Sequence, residues 1–231
     1  MAFAAVIFDL YGTLVPEFPK SEFYATVRRM AEVVGAEPGA FREQWDRTAI
    51  ERQTGAYPAG MPENVRVICA ALGLSTPTDA IVAEALTSRD VMYERWFHPR
   101  PGAVEVLTEL RARGVPTAVI SMCAPDTPAM WRASPLGGLV DVEVFSSEVG
   151  LRKPEAAIYR YATERLGVQP GACLYCGDGA YGELTGATAV GMTAYLIRPA
   201  DLDVAESLTP QPEENWQGPV VADLREILER R

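Results

Sequence analysis

Ala4-Ala5-Val6-Ile7-Phe8-Asp9-Leu10-Tyr11-Gly12-Thr13-Leu14 is an apolar run that ends abruptly in a carboxylate and a glycine turn. Five or six apolar residues without polar alternation suit a strand buried on both faces, as in a parallel sheet covered by helices. Asp9 then stands at the carboxyl end of that strand, where open α/β sheets place their ligands. Taken alone, Asp9 either caps the turn made by Gly12 and Thr13 or begins the chemistry.

Outward from this stretch the chain changes character twice. From about residue 17 to 97 it is rich in Arg, Glu, Ala and Met, with apolar residues at helical spacing. Phe23, Val27, Met30 and Val34 share one helix face. A second helix is predicted over about 38–53, with Phe41, Trp45, Thr48 and Ala49 on one stripe. A third runs from Val65 to Leu72 and stops at Gly73, and a fourth begins near Thr78-Asp79 and carries Val82, Leu86, Val91 and Trp96. From His98-Pro99-Arg100-Pro101-Gly102 onward, helices alternate with short apolar strands: helix 103–113, strand 116–121, strand 142–146, helix 155–166, strand 172–176, helix 183–190, strand 193–197, strand 220–221 and helix 224–229. Strands separated by helices require crossovers, hence an α/β fold with a doubly wound parallel sheet. The expected organisation is a core of residues 1–15 and 98–231 with a helical cap, 16–97, inserted after the first strand and hanging over the carboxyl edge of the sheet. The Pro-rich segment 209–214 reads as a surface loop.

Composition narrows the function. The chain has 231 residues, 48% of them hydrophobic, enough for a full core. Its 21 basic and 31 acidic residues give a net charge of −10, with no basic block to track a phosphate backbone, so nucleic acid is not an expected partner. No apolar run approaches the roughly 18 residues of a membrane span and no signal segment opens the chain, so a cytoplasmic protein is expected. Of the four cysteines, Cys173 and Cys176 form a CxxC, but residues three apart on a strand face opposite sides, so buried free thiols are expected.

Asp9, Ser121, Lys153 and Asp178 all follow apolar strands, and parallel strands bring such ends to one edge. An aspartate, a hydroxyl, a lysine and a second aspartate suit phosphoryl transfer through an aspartyl intermediate, in which cations offset the charge on the phosphoryl oxygens. In order and spacing, Asp9-Leu10-Tyr11-Gly12-Thr13-Leu14, Ser121, Lys153-Pro154 and Gly177-Asp178-Gly179 with Glu183-Leu184-Thr185-Gly186-Ala187 resemble the four motifs of the haloacid dehalogenase-like hydrolase superfamily. The resemblance implies a helical cap on a Rossmann-like core. It also implies that Asp9 is the nucleophile, Ser121 the hydroxyl holding the transferring group, and Lys153 the cation steadying both. Mg²⁺ would be held by Asp9, Asp178 and the Tyr11 carbonyl, with Glu183 assisting directly or through water. Gly12, Thr13 and Met122 would border the substrate's anionic group.

Two features depart from that pattern. Superfamily phosphatases usually carry a second Asp, acting as general acid and base, where this chain has Tyr11; its absence forgoes a contribution of about 10² to 10⁴ in rate. Tyr11 resembles the 2-haloacid dehalogenases, which need no leaving-group proton and no magnesium. Yet Asp178 and Glu183 beside the nucleophile make electrostatic sense mainly with a cation among them. The expectation is therefore Mg²⁺-dependent hydrolysis of a small phosphate ester. The alternatives are a metal-independent 2-haloacid dehalogenase and a catalytically weak binding or regulatory member. In the cap, Arg47 and Arg52 are candidate donors to a small anionic substrate, against the blander expectation of solvated helix faces. Trp45 and Tyr57 are read first as core, Asp126 as a helix cap, His98 as a hinge residue and Glu148 as surface.

Overall fold

The computed structural model describes residues 3–57, 60–200, 204–208, 213 and 215–230. In chain order the elements are β1 (Ala5–Phe8), α1 (Lys20–Val34), α2 (Pro38–Arg47), α3 (Ala49–Gln53), α4 (Met61–Ala71), α5 (Asp79–Trp96), α6 (Ala103–Ala112), β2 (Thr117–Ser121), α7 (Thr127–Ala133), β3 (Val142–Phe145), α8 (Ser146–Val149), α9 (Ala156–Leu166), β4 (Cys173–Gly177), α10 (Glu183–Ala189), β5 (Thr193–Ile197) and β6 (Val220–Val221). The strands form one parallel sheet in the order β3-β2-β1-β4-β5-β6. The chain runs outward to β3 on one side of β1, then returns to β4 and runs out the other way. The switch therefore falls at β1 and β4, where doubly wound sheets open a crevice at their carboxyl ends.

The unbroken apolar strands have a direct cause. Val6 and Phe8 of β1 enter one apolar layer with Leu107 and Leu110 of α6, while Ala5 and Ile7 enter the other with Ile158 and Ala162 of α9 and Leu184 of α10. Both faces are buried, so neither register position tolerates a polar side chain. The same alternation separates Cys176, in the first layer, from Cys173, in the second, and both are buried free thiols.

A third apolar cluster, built around Val27, Met30, Phe41, Trp45, Val65, Ile68, Val82 and Ala85, belongs to α1, α2, α4 and α5. The chain enters this helical layer after β1 and leaves it before α6, and the Arg100 N–H donates to the Leu14 carbonyl at 2.9 Å, stitching exit to entry.

Several local expectations are corrected. The single helix expected over 38–53 is two, broken at Thr48, whose hydroxyl donates to the Gln44 carbonyl (2.7 Å) and whose backbone leaves helical geometry (ψ 16°). The helix expected from Val65 begins earlier, at Met61, with Pro62 in its first turn, a position that needs no N–H. Val91 does not share the buried stripe of α5; it is 58% exposed. The closing 224–229 segment is a 3₁₀ helix with an Asp223/Glu226 capping box. Residues 209–212 and 214 of the expected Pro-rich loop lie outside the described residues.

Candidate active site

Asp9 leaves the end of β1 with its N–H bonded to the Cys176 carbonyl of β4 (2.9 Å), which fixes it over the switch point. The chain then turns back on itself: the N–H groups of Leu14 and Val15 both donate to the Leu10 carbonyl. The turn needs Gly12, with φ +77°, and a Cβ there would stand 2.3 Å from Oδ2 of Asp178. First and fourth motifs thus meet backbone against carboxylate. Gly177 is constrained likewise, because a Cβ would meet Oε1 of Glu183.

Lys153, at the N-terminal approach to α9, is buried between two acids, with Nζ 2.5 Å from Asp9 Oδ1 and 2.5 Å from Glu183 Oε2. Both Glu183 oxygens are engaged: Oε1 accepts the Gly179 N–H (2.9 Å), and Oε2 also accepts the Tyr175 hydroxyl (2.6 Å). Asp178 Oδ1 accepts the Ala180 N–H (2.8 Å). Asp9 Oδ2, by contrast, is buried without a hydrogen-bond partner among the described residues, as are Ser121 Oγ and Thr13 Oγ1. Carboxylate oxygens of Asp9, Asp178 and Glu183 lie within 4.8 Å of one another.

One lysine among three buried carboxylates leaves negative charge in a low-dielectric site. Burial and the Glu183 carboxylate push Asp9 up from 3.8 to about 7, although Lys153 pulls it down. Burial, then Glu183 and Asp9, raise Asp178 well above the usual carboxylate range. Burial alone draws the Lys153 ammonium down, but the Asp9 and Glu183 carboxylates outweigh it and hold it above its ordinary value. A divalent cation answers this imbalance. The donor set is hard oxygen, one carboxylate oxygen is orphaned, and the acids converge, so the residues fit Mg²⁺.

The site opens into a cavity of ≈ 540 Å³ whose walls include Asp9, Tyr11, Phe18, Trp45, Arg52, Arg89, Tyr93, Met122, Thr127 and Asp178. Tyr11 does not point a free hydroxyl into it: its OH pairs with Thr127 Oγ1 (2.9 Å), and its ring packs on Phe18 and Phe97. Burial raises this phenol well above 10, so it stays protonated.

Asp126 is the residue before α7 but makes no side-chain cap bond. Its carboxylate instead takes Arg89 (2.8 Å) and the Tyr93 hydroxyl (3.0 Å) from α5. Arg52 is 4% exposed rather than solvated, stacked on Trp45, which is itself a wall of the cavity. Arg47 is exposed and donates to Gln44 (2.6 Å), away from the cavity walls. Met122 is a wall residue and its sulfur accepts the Lys153 N–H, whereas Tyr57 is not on the wall. His98 and Glu148 are exposed, Glu148 bonded to Arg132. Tyr175, Arg89, Tyr93 and Thr127 escaped the sequence reading. For Tyr175 the signal was present: a tyrosine inside a fully apolar strand must bury a hydroxyl, and a buried hydroxyl needs a partner.

Fold and site together define a class: an α/β protein with a carboxylate–lysine centre at the switch point of its sheet, under a layer of helices. Residues 3–191 match the family model of haloacid dehalogenase-like hydrolases, and the chain belongs to that family; it is a hydrolase. A glyceraldehyde 3-phosphate phosphatase of Methanopyrus kandleri is 25% identical across 84% of this chain and 83% of its own. An (S)-2-haloacid dehalogenase 4A of Burkholderia cepacia is 26% identical across 84% of this chain and 82% of its own. Among solved structures, a HAD phosphatase from Thermococcus onnurineus superposes with a TM-score of 0.62 at 22% identity, covering 97% of both chains. Among the described residues no helix is long and apolar enough to cross a membrane.

Proposed function

We propose that this hydrolase cleaves small phosphate monoesters with Mg²⁺, through an aspartyl-phosphate on Asp9. The observation that carries the reading is the buried acidic centre: three carboxylates, one lysine and an unpartnered Asp9 oxygen. A metal-independent dehalogenase has no use for the added negative charge, which raises the pKa of its own nucleophile. Relatives named as phosphatases support the reading, and Tyr11 together with the dehalogenase relative supports the alternative.

In the proposed reaction Lys153 fixes Oδ1 and leaves Oδ2 to attack phosphorus. The Oδ2–P bond forms as the ester P–O bond breaks, and the departing oxygen takes a proton from water. A second water then attacks phosphorus, releasing inorganic phosphate and restoring the carboxylate. Ser121 Oγ, buried and unpaired, donates to a phosphoryl oxygen. Asp9, Asp178 and the Tyr11 carbonyl would hold Mg²⁺, which when bound offsets charge on the phosphoryl oxygens. Glu183, with both oxygens already engaged, positions Lys153 rather than ligating. Residues 16–97 act as a cap on a core of residues 1–15 and 98–231, excluding bulk water from the cavity.

The test is turnover of 4-nitrophenyl phosphate. Chelation with EDTA abolishes it and Mg²⁺ restores it, and Asp9→Asn is inactive. Full activity in EDTA overturns the Mg²⁺ dependence, and halide release from 2-chloropropionate without metal overturns the reading in favour of a dehalogenase. No turnover of either substrate, with no Asp9 adduct to beryllium fluoride, leaves a binding module.

A further inference from the structure

Two arginines flank Trp45 in the cavity wall, and their electrostatic situations differ. Arg89 is neutralised by Asp126 at 2.8 Å and shares the Tyr93 hydroxyl. Arg52 is as deeply buried, with its guanidinium carbon 4.0 Å from the Trp45 ring centroid, but among the described residues no carboxylate lies within ion-pair distance. Among the described residues it donates only to neutral oxygens, Nε to Thr48 Oγ1 (3.4 Å) and one Nη to the Trp45 carbonyl, and the other Nη has no partner among them. Burial, with the like charge of Arg89, pushes Arg52 down to about 10, so it is still charged at neutral pH. Asp46, on the same wall, is already taken up by Arg42 (3.6 Å) and Tyr24 (3.3 Å). A buried, unpaired guanidinium facing a cavity is costly unless a ligand completes it.

Resting on the phosphatase reading above, we propose that Arg52 receives a carboxylate of the substrate, so that the enzyme's substrates are small phosphorylated carboxylic acids. The phosphate takes the Asp9 end of the cavity and the carboxylate the Arg52 end, with Phe18, Phe23 and Tyr24 around the carbon skeleton between them. A carboxylate fits better than a second phosphate because the wall offers one uncompensated positive charge. A dianion there would leave negative charge facing Asp46 and Glu17. The planar fork of arginine matches a carboxylate through two parallel hydrogen bonds.

Three esters test it: 2-phospholactate, ethyl phosphate, which is the same molecule without its carboxylate, and ethylene glycol bisphosphate. With wild-type enzyme and Mg²⁺, kcat/KM for 2-phospholactate exceeds that for ethyl phosphate at least tenfold, chiefly through KM. In Arg52→Met that ratio collapses to within threefold of one, and Arg52→Lys is intermediate. Comparable kcat/KM for the two esters in the wild type overturns the proposal without any variant having to fold. So does a ratio that survives in Arg52→Met, or a tenfold preference for the bisphosphate. If none of the three esters nor 4-nitrophenyl phosphate is hydrolysed, the phosphatase reading itself has failed.

Discussion

Stripping divalent cations should make this protein lose stability as pH rises, opposite to the trend set by salt-bridged surface acids. The cause is Asp9, held at about 7 in the fold against 3.8 when exposed. Its folded-state pKa is raised, so its contribution to stability is fully present below 3.8 and is lost as pH climbs to about 7. In linkage terms, the unfolded chain binds fewer protons than the native one throughout that window. Roughly three units at about 1.4 kcal/mol each give a loss on the order of 4 kcal/mol. Starting from pH 5.5, about half remains, some 2 kcal/mol, which for a domain of this size lowers Tm by about 4–8 °C. Asp178 moves in the same direction and adds to it. Glu37, Glu206 and Asp223 are held below their ordinary values, so their contributions fade only on acidification, outside the window. The assay is calorimetry in EDTA at pH 5.5, 6.5, 7.5 and 8, repeated with Mg²⁺ and with Asp9→Asn. Mg²⁺ at a hundred times its dissociation constant restores about 2.7 kcal/mol at pH 8 and less at pH 5.5, where protons compete for the same carboxylates. Asp9→Asn flattens the decline by the Asp9 share. A Tm in EDTA that stays level or rises from pH 5.5 to 8 refutes the charge argument.

Lys153→Met removes the cation that two of the three buried acids pair with, so stability falls by about 3–5 kcal/mol, more at pH 8 than at pH 5.5, in denaturant titrations; phosphatase turnover falls about 10³-fold. Gly12→Ala combines left-handed strain of about 1–2 kcal/mol with a Cβ 2.3 Å from Asp178 Oδ2, and raises the Mg²⁺ needed for half-maximal activity at least tenfold. Gly35→Ala, at φ +75° with nothing within 4 Å, carries the same strain and leaves the Mg²⁺ requirement alone. With Tyr11 in place of a general acid, kcat/KM over a series of aryl phosphates drops steeply as the leaving group becomes more basic. Tyr11→Asp flattens that slope, by up to about 10²-fold for the most basic leaving group, while unfolding at lower denaturant because the ring contacts to Phe18 and Phe97 are gone.

The core was legible where physics leaves one answer. A strand buried on both faces must be apolar throughout, and parallel strands must send their carboxyl ends to one edge, so Asp9, Ser121 and Asp178 could be assigned to that edge before any coordinates, whereas Lys153 follows α8 rather than a strand. Helical spacing likewise found the α1 face, since Val27 and Met30 are buried. It misled at Val91 because the apolar period of α5 is weak: Arg89 and Tyr93 take buried positions that a hydrophobic template assigns to aliphatics. Arg89, Asp126, Tyr93 and Thr127 were out of reach for a different reason. Their partnership spans 33 to 37 residues and depends on how α5 lies across α7, which no local pattern encodes. Arg52 was underrated because most helix arginines are solvated, and the break at Thr48 that turns α3 inward was missed.

Tyr11 ties these two levels together. Its ring packs with Phe18 and Phe97, which belong to the two crossings between the helical layer and the sheet. Its hydroxyl meets Thr127, which meets Tyr93, which meets Asp126, which holds Arg89, a continuous run of contacts from the first motif into α5. An aspartate at this position would supply a proton but could pack against neither aromatic ring, and its charge would add a fourth acid to a centre already short of cations. On the proposed reading, the residue that forfeits leaving-group protonation would therefore also close the joint over the cavity and spare the Asp9 carboxylate further negative charge. On that account the slow step with basic leaving groups and the tight seating of the helices over Asp9 are two consequences of one side chain, and Tyr11→Asp must change both together.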